Sequence, residues 1–207
     1  MDVAPGAGGV SRAVNLLLSP GRGWDRIAWA PTPVRPLFLR HALPLAAIPS
    51  VCGAVGVLAF GFNIANIGVR MSVLGLALGA AVNFASTLLG AWLLALFVDL
   101  VAPAFGGVRG REAALNLVVY AATASWLGGL SELYPSLGIS VGILAGLYSL
   151  CLLYVGLPKM MGVPEARRLP AYAAVLVALL VLVTLRGVVT AKAAELGGPL
   201  SASYAPR

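Results

Sequence analysis

Long apolar runs separated by short polar breaks dominate the pattern along this 207-residue chain. Five of them, near residues 41–62, 73–101, 113–131, 137–157 and 170–189, are each long enough to cross a bilayer. Roughly 20 apolar residues in a helix reach across the hydrocarbon core, because the helix rises about 1.5 Å per residue. The pattern predicts an all-α fold: a polytopic transmembrane bundle of five spans with a short interfacial N-terminal helical segment. Residues 1–40 then form a cytoplasmic or interfacial segment, 41–190 the bundle, and 191–207 an extracytoplasmic tail.

The first 40 residues carry a different pattern. Val10, Val14, Leu17 and Leu18 recur at helical spacing, with Arg12 and Asn15 off that face, and Pro20 closes the piece. A second short helix is expected from Gly23 to Trp29. Trp24, Ile27 and Ala28 share one side, and Arg22, Asp25 and Arg26 meet water and headgroups. Indole prefers the headgroup layer and guanidinium seeks phosphate, so Trp24, Arg26 and Trp29 form a candidate interfacial anchor. A cytoplasmic flap packed on the bundle fits the same residues. Pro31, Pro33 and Pro36 suggest an extended linker, and Pro44 and Pro49 a kinked first span. No cleavable signal is expected, because Arg12 and Asn15 interrupt the only early apolar patch.

Inside the spans, small residues recur at four-residue spacing: Gly75 with Gly79, and Gly138 with Gly142 and Gly146. Such spacing lets helix backbones approach closely, so these glycines are read as helix-packing positions, within the bundle or in a homodimer. Polar residues are few. Asn83, Ser86 and Thr87 share a face of the second span, and Asn116, Tyr120 and Thr123 a face of the third. Together with Asp99, near the cytoplasmic end of span two, they give a candidate intramembrane polar face of Asn83, Thr87, Asp99, Asn116, Tyr120 and Thr123. It is either an interhelical hydrogen-bond network or a small polar cavity between spans two and three. For Asp99 an ion pair with Arg109, Arg111 or an N-terminal arginine is expected. The second run, about 43 Å if wholly helical, must tilt or emerge from the bilayer.

Composition agrees with a membrane environment: 60% of residues are hydrophobic and 10% charged, where a soluble domain carries about a quarter charged. The net charge of +7 does not indicate nucleic acid, because no dense basic cluster interleaved with aromatics occurs. The charges flank the spans instead. Arg12, Arg22, Arg26, Arg35, Arg40, Arg109, Arg111, Lys159, Arg167 and Arg168 fall on one side, and Arg70, Arg186, Lys192 and Arg207 on the other. The positive-inside rule then places the N-terminus in the cytoplasm and the C-terminus outside. Cys52 and Cys151 read as small apolar residues of the spans, and His41, the only histidine, as an interfacial polar residue. No nucleophile–base pair, carboxylate pair, metal cluster or phosphate loop stands out, so no enzyme activity and no cofactor are expected. The expected partners are membrane lipids and other membrane proteins or a second copy of the chain.

Several segments carry a resemblance: LLLSPGRGWDRIA at 16–28, HALPLAAIPS at 41–50, APAFGG at 102–107, YAATASWLGGL at 120–130 and LLYVGLPKMMGVP at 152–164. In their order and spacing they resemble the Ypt-interacting-protein (Yip) family of five-span membrane proteins, in its bacterial branch. The resemblance implies five helices, a cytoplasmic N-terminus and a non-enzymatic role, here in a bacterial cytoplasmic (inner) membrane. It places fold-setting residues at Pro20, Trp24, Pro44, Gly106, Gly107, Tyr120, Gly156 and Pro158. Eukaryotic relatives associate with prenylated small GTPases in vesicle traffic, but their Asp-Leu-Tyr-Gly-Pro stretch has no counterpart here. The expected function is a non-catalytic, membrane-organising or partner-binding scaffold. The alternatives are a small transporter or channel, and a lipid-handling protein that opens laterally between kinked span one and the N-terminal helix.

Overall fold

The computed structural model describes residues 9–64, 67–70, 72–196 and 201–204. Two ten-residue helices, α1 (Gly9–Leu18) and α2 (Pro20–Trp29), precede five membrane-length helices. The spans run Val34–Phe60, Val73–Phe105, Arg111–Leu133, Pro135–Met161 and Glu165–Glu195. Each outruns its apolar core because polar and proline residues continue the helix beyond the hydrocarbon. The all-α, five-span architecture expected from the apolar pattern is the one observed.

Span one starts earlier than the apolar pattern suggests. Only residues 30–33 lie outside helix, and Pro36 sits inside the first helical turn, where a missing N–H costs little. A π-helical turn over Phe38–Ala42 then leads straight into Pro44. The Leu43 N–H reaches back to the Phe38 carbonyl, five residues away, so the proline is accommodated by widening the turn before it.

Span three is the hub. Its apolar stretch is 67% buried, whereas that of span five is 6% buried and faces outward. Spans two and five pack as one pair, and spans three and four as another. Span one lies along spans two and three, and packs against the 3-10 turn Gly129–Leu133 that ends span three.

One end of the bundle gathers the N-terminal helices and the connections 106–110 and 162–164. Lys159, near the end of span four, donates to the Gly21 carbonyl and forms a 2.5 Å ion pair with Asp25. Gly106 and Gly162 end spans two and four with φ of 81° and 64°, the left-handed region that side chains disfavour. The Val108 amide binds the Met161 carbonyl at 2.8 Å, joining the two connections. At the opposite end β1 (Phe62–Ile64), β2 (Ile67–Arg70) and β3 (Ser201–Tyr204) make a small antiparallel sheet in the order β1-β2-β3. The apolar pattern contained no sign of it. Residues 201–204, in the stretch read as a tail, thus pair with the first interhelical connection.

The glycines divide into two groups. Gly75 and Gly79 are buried, with Gly79 facing Ala194 across the seam of spans two and five. Gly138 lies against the Glu132 backbone. Gly142 and Gly146, however, face open space: nothing lies within 4 Å of where a Cβ would sit. The tight approaches occur elsewhere. A Cβ on Gly56 would fall within 3.0 Å of the Glu132 and Leu133 carbonyl oxygens, and one on Gly129 would lie 2.6 Å from Pro49. Backbone cannot yield as a side chain can. Gly56→Ala is therefore expected to cost about 1–3 kcal/mol by overpacking, while Gly142→Ala stays within about 0.5 kcal/mol of wild type. Thermal unfolding of the two variants in detergent micelles checks this; equal midpoints would refute it.

Candidate functional site

Helix α2 turns Trp24 and Ile27 inward, and both are fully buried with Leu16 of α1. The Trp24 indole N–H donates to the Leu152 carbonyl of span four at 3.0 Å. Its ring fits over Gly156, where a Cβ would approach Trp24 Cε2 to 2.6 Å. Trp24 is thus no headgroup anchor: a closed side-chain environment has taken the indole from the interface. Trp29, 90% exposed, and Arg26 do face outward, as an interfacial anchor requires. The two short helices lie along the inner part of span four, since Tyr148 also donates to the Leu17 carbonyl.

The candidate polar face divides into separate clusters. Asn116, Tyr120 and Thr123 of span three are all fully buried and serve the N-terminal linker and span one, not span two. The Asn116 amide pairs with the Thr32 backbone in both directions: Thr32 N–H donates to Oδ1 at 3.0 Å, and Nδ2 donates to the Thr32 carbonyl at 2.9 Å. The Thr32 hydroxyl meets Tyr120 OH at 2.9 Å and accepts from Arg12 at 3.1 Å. His41 lies 4% exposed, 2.9 Å from the Thr123 hydroxyl and with its ring 4.7 Å from that of Tyr120. The expectation of an interfacial His41 is therefore corrected; the π-helical turn swings its ring inward. The same network ties the linker and the start of span one to span three, the region where the lipid-handling alternative places a lateral opening.

A second cluster joins spans one, two and five, farther from the N-terminal helices. Asn83 donates to Ser50 of span one at 2.9 Å, and its carbonyl accepts from Thr87 at 2.7 Å. Arg186 of span five donates to the Thr87 hydroxyl at 3.0 Å. Asp99 belongs to neither cluster. Its carboxylate accepts from the Gly110 amide at 2.7 Å, stapling the turn into span three, and it makes no ion pair among the described residues. An N–H at a helix start needs an acceptor, and Gly110 occupies that position.

Arg186 was missed as a site residue because its charge was counted with the outer loops. It is the one charged residue of the fifth apolar run, and that is the signal that could have found it. Here it lines a cavity of about 360 Å³ bounded by spans two to five. Spans four and five meet where Tyr172 donates to the Leu150 carbonyl and Arg168 stacks 3.8 Å from the Tyr154 ring. Further out they hardly touch, and the cavity opens between them. Glu132, in the 3-10 turn that ends span three, sits beside Gly53, Gly56 and Gly138 and makes no ion pair among the described residues. Both cysteines are free, Cys52 buried and Cys151 exposed.

The family model of the Yip1 domain matches residues 14–186, from α1 to the cavity arginine. No curated protein and no solved structure matches the chain.

Proposed function

This integral membrane protein belongs to the Yip1 domain family, and from that premise we propose that it is a non-catalytic scaffold that gathers partner proteins at its cytoplasmic face. The observation that carries the reading is the docked N-terminal cap. Buried Trp24 and the Asn116–Thr32 pair hold it on the bundle, while it presents Arg22, Arg26 and Trp29, and Arg35 and Arg40 are exposed at the start of span one. Arg109, Arg111 and Arg167 are exposed at the same end of the bundle. A rigid surface with an exposed indole and basic rim suits contact with anionic headgroups and with protein segments that follow them, because little ordering entropy is lost on binding. The excess of arginines supports a cytoplasmic placement of this end, with the C-terminus outside, and the membrane proposed is a bacterial inner membrane.

A solute conduit has less support, since Asn83 and Thr87 belong to a different network from Asn116 and Tyr120. A photo-crosslinking residue at position 29, activated in intact cells, tests the scaffold. Discrete protein adducts that disappear in the Arg22→Gln/Arg26→Gln double variant are expected. Adducts to lipid alone, or adducts indifferent to those charges, would overturn the proposal.

A further inference from the structure

The cavity beside Arg186 has a second consequence, independent of the scaffold reading. The guanidinium offers five N–H donors and, among the described residues, makes one hydrogen bond, to Thr87. Among the described residues no carboxylate comes within 4.0 Å of it. A cation held among apolar helices calls for an anion nearby, because lipid and methyl groups cannot replace its hydration. Glu132 is one that stays beyond that distance. The cavity is graded along the membrane normal. Arg186, Thr87 and Ser86 line its outer part, whereas Leu94, Leu153 and Leu179 line its inner part. Beside it Tyr172 of span five donates to the Leu150 carbonyl of span four, tying the two spans together. The side between spans four and five opens toward lipid, where Leu180 and Val183 are 65% and 47% exposed.

The geometry points to a binding site for a single-chain amphiphile with an anionic head, entering from the outer leaflet between spans four and five. Its oxyanion sits on the Arg186 guanidinium and the Thr87 hydroxyl, and its chain runs inward over Leu150 and Leu153. The head-outward, tail-inward polarity is that of an outer-leaflet lipid. A volume of about 360 Å³ lies at the small end of ligand pockets, roughly 300–1,000 Å³, which suits one acyl chain better than two. A planar fork of donors is the group best matched to carboxylate or phosphate.

The test uses the full chain in phosphatidylcholine nanodiscs, with stearic acid carrying a mid-chain diazirine as the probe. Photolabelling at pH 8, followed by peptide mapping, is expected to concentrate adducts in the 146–153 and 179–183 stretches. Oleate should compete; oleyl alcohol and inorganic phosphate should not. Arg186→Gln should cut cleft labelling at least tenfold relative to lipid-facing sites on the same molecule, with partial recovery in Arg186→Lys. Leu150→Trp, which fills the cleft while keeping the charge, should abolish it and stands in should Arg186→Gln not fold. Labelling spread evenly over the outer surfaces, equal competition by oleyl alcohol, or unchanged labelling in Leu150→Trp would each sink the proposal.

Discussion

Trp24→Ala is expected to release the N-terminal helices from the bundle, at a cost of about 3–5 kcal/mol, the range for truncating a buried tryptophan. The indole is fully buried, donates to the Leu152 carbonyl and covers Gly156 closely, so the surroundings can collapse little into the space it leaves. Trp24→Phe keeps most of the ring and loses one hydrogen bond, which argues for about 1 kcal/mol. Trp29→Ala removes an indole that is 90% exposed and should fall within about 0.5 kcal/mol of wild type. Tryptic cleavage at Arg12, Arg22 and Arg26 in micelles, alongside thermal unfolding, separates the three. Cleavage requires the short helices to unwind. It should therefore accelerate strongly in Trp24→Ala, slightly in Trp24→Phe and not in Trp29→Ala. Equal resistance in all three would mean that the cap is held by something other than this residue.

The second large effect belongs to Asn116. Its amide satisfies both backbone groups of Thr32 and also donates to the Glu112 carbonyl. Asn116→Leu fills a similar volume but strands the Thr32 N–H and carbonyl at a half-buried position. Each unsatisfied group costs about 1–3 kcal/mol, and partial access of water trims the sum to about 2 kcal/mol or more. Thr32→Val gives the contrast. It removes the hydroxyl that meets Tyr120 and Arg12 but leaves the backbone pair with Asn116 intact, so about 1 kcal/mol is expected. Amide hydrogen exchange over residues 30–33 reads the outcome directly. Fast exchange at Thr32 in Asn116→Leu and slow exchange in Thr32→Val are expected. The reverse order would assign the clamp to the hydroxyl.

Both effects bear on the scaffold proposal. A cap that detaches in Trp24→Ala can no longer present Arg26 and Trp29 in fixed geometry, although those side chains are untouched. Photo-crosslinking from position 29 should therefore fall in Trp24→Ala as well as in the arginine variant. A loose arm would bind equally well either way. The comparison tells a rigid platform from a flexible tether, a difference of entropy rather than of contacts.

Periodicity and run length by themselves determined the five spans, the short amphipathic helices and the side on which the arginines collect. These follow from local physics: a helix must satisfy its own backbone in lipid, and its length is fixed by the bilayer. Even the role of the N-terminal pattern was half legible, since Trp24 and Ile27 do share one face of a helix. Which way that face turns was not. Trp24, His41, Asn116 and Thr123 became interior groups only when elements distant in sequence closed over them, as the separation of 128 positions from Trp24 to Leu152 illustrates. Four-residue glycine spacing is likewise local, whereas close approach needs a neighbour: Gly56 has one, and Gly142 does not. The same holds for Arg186. Its place in an apolar run is written in the sequence, but the cleft it faces exists only because spans four and five join through Tyr172 and Arg168 and separate beyond them. Side-chain chemistry is local, but burial and partnership are properties of the assembled helices, and those the tertiary structure alone decided.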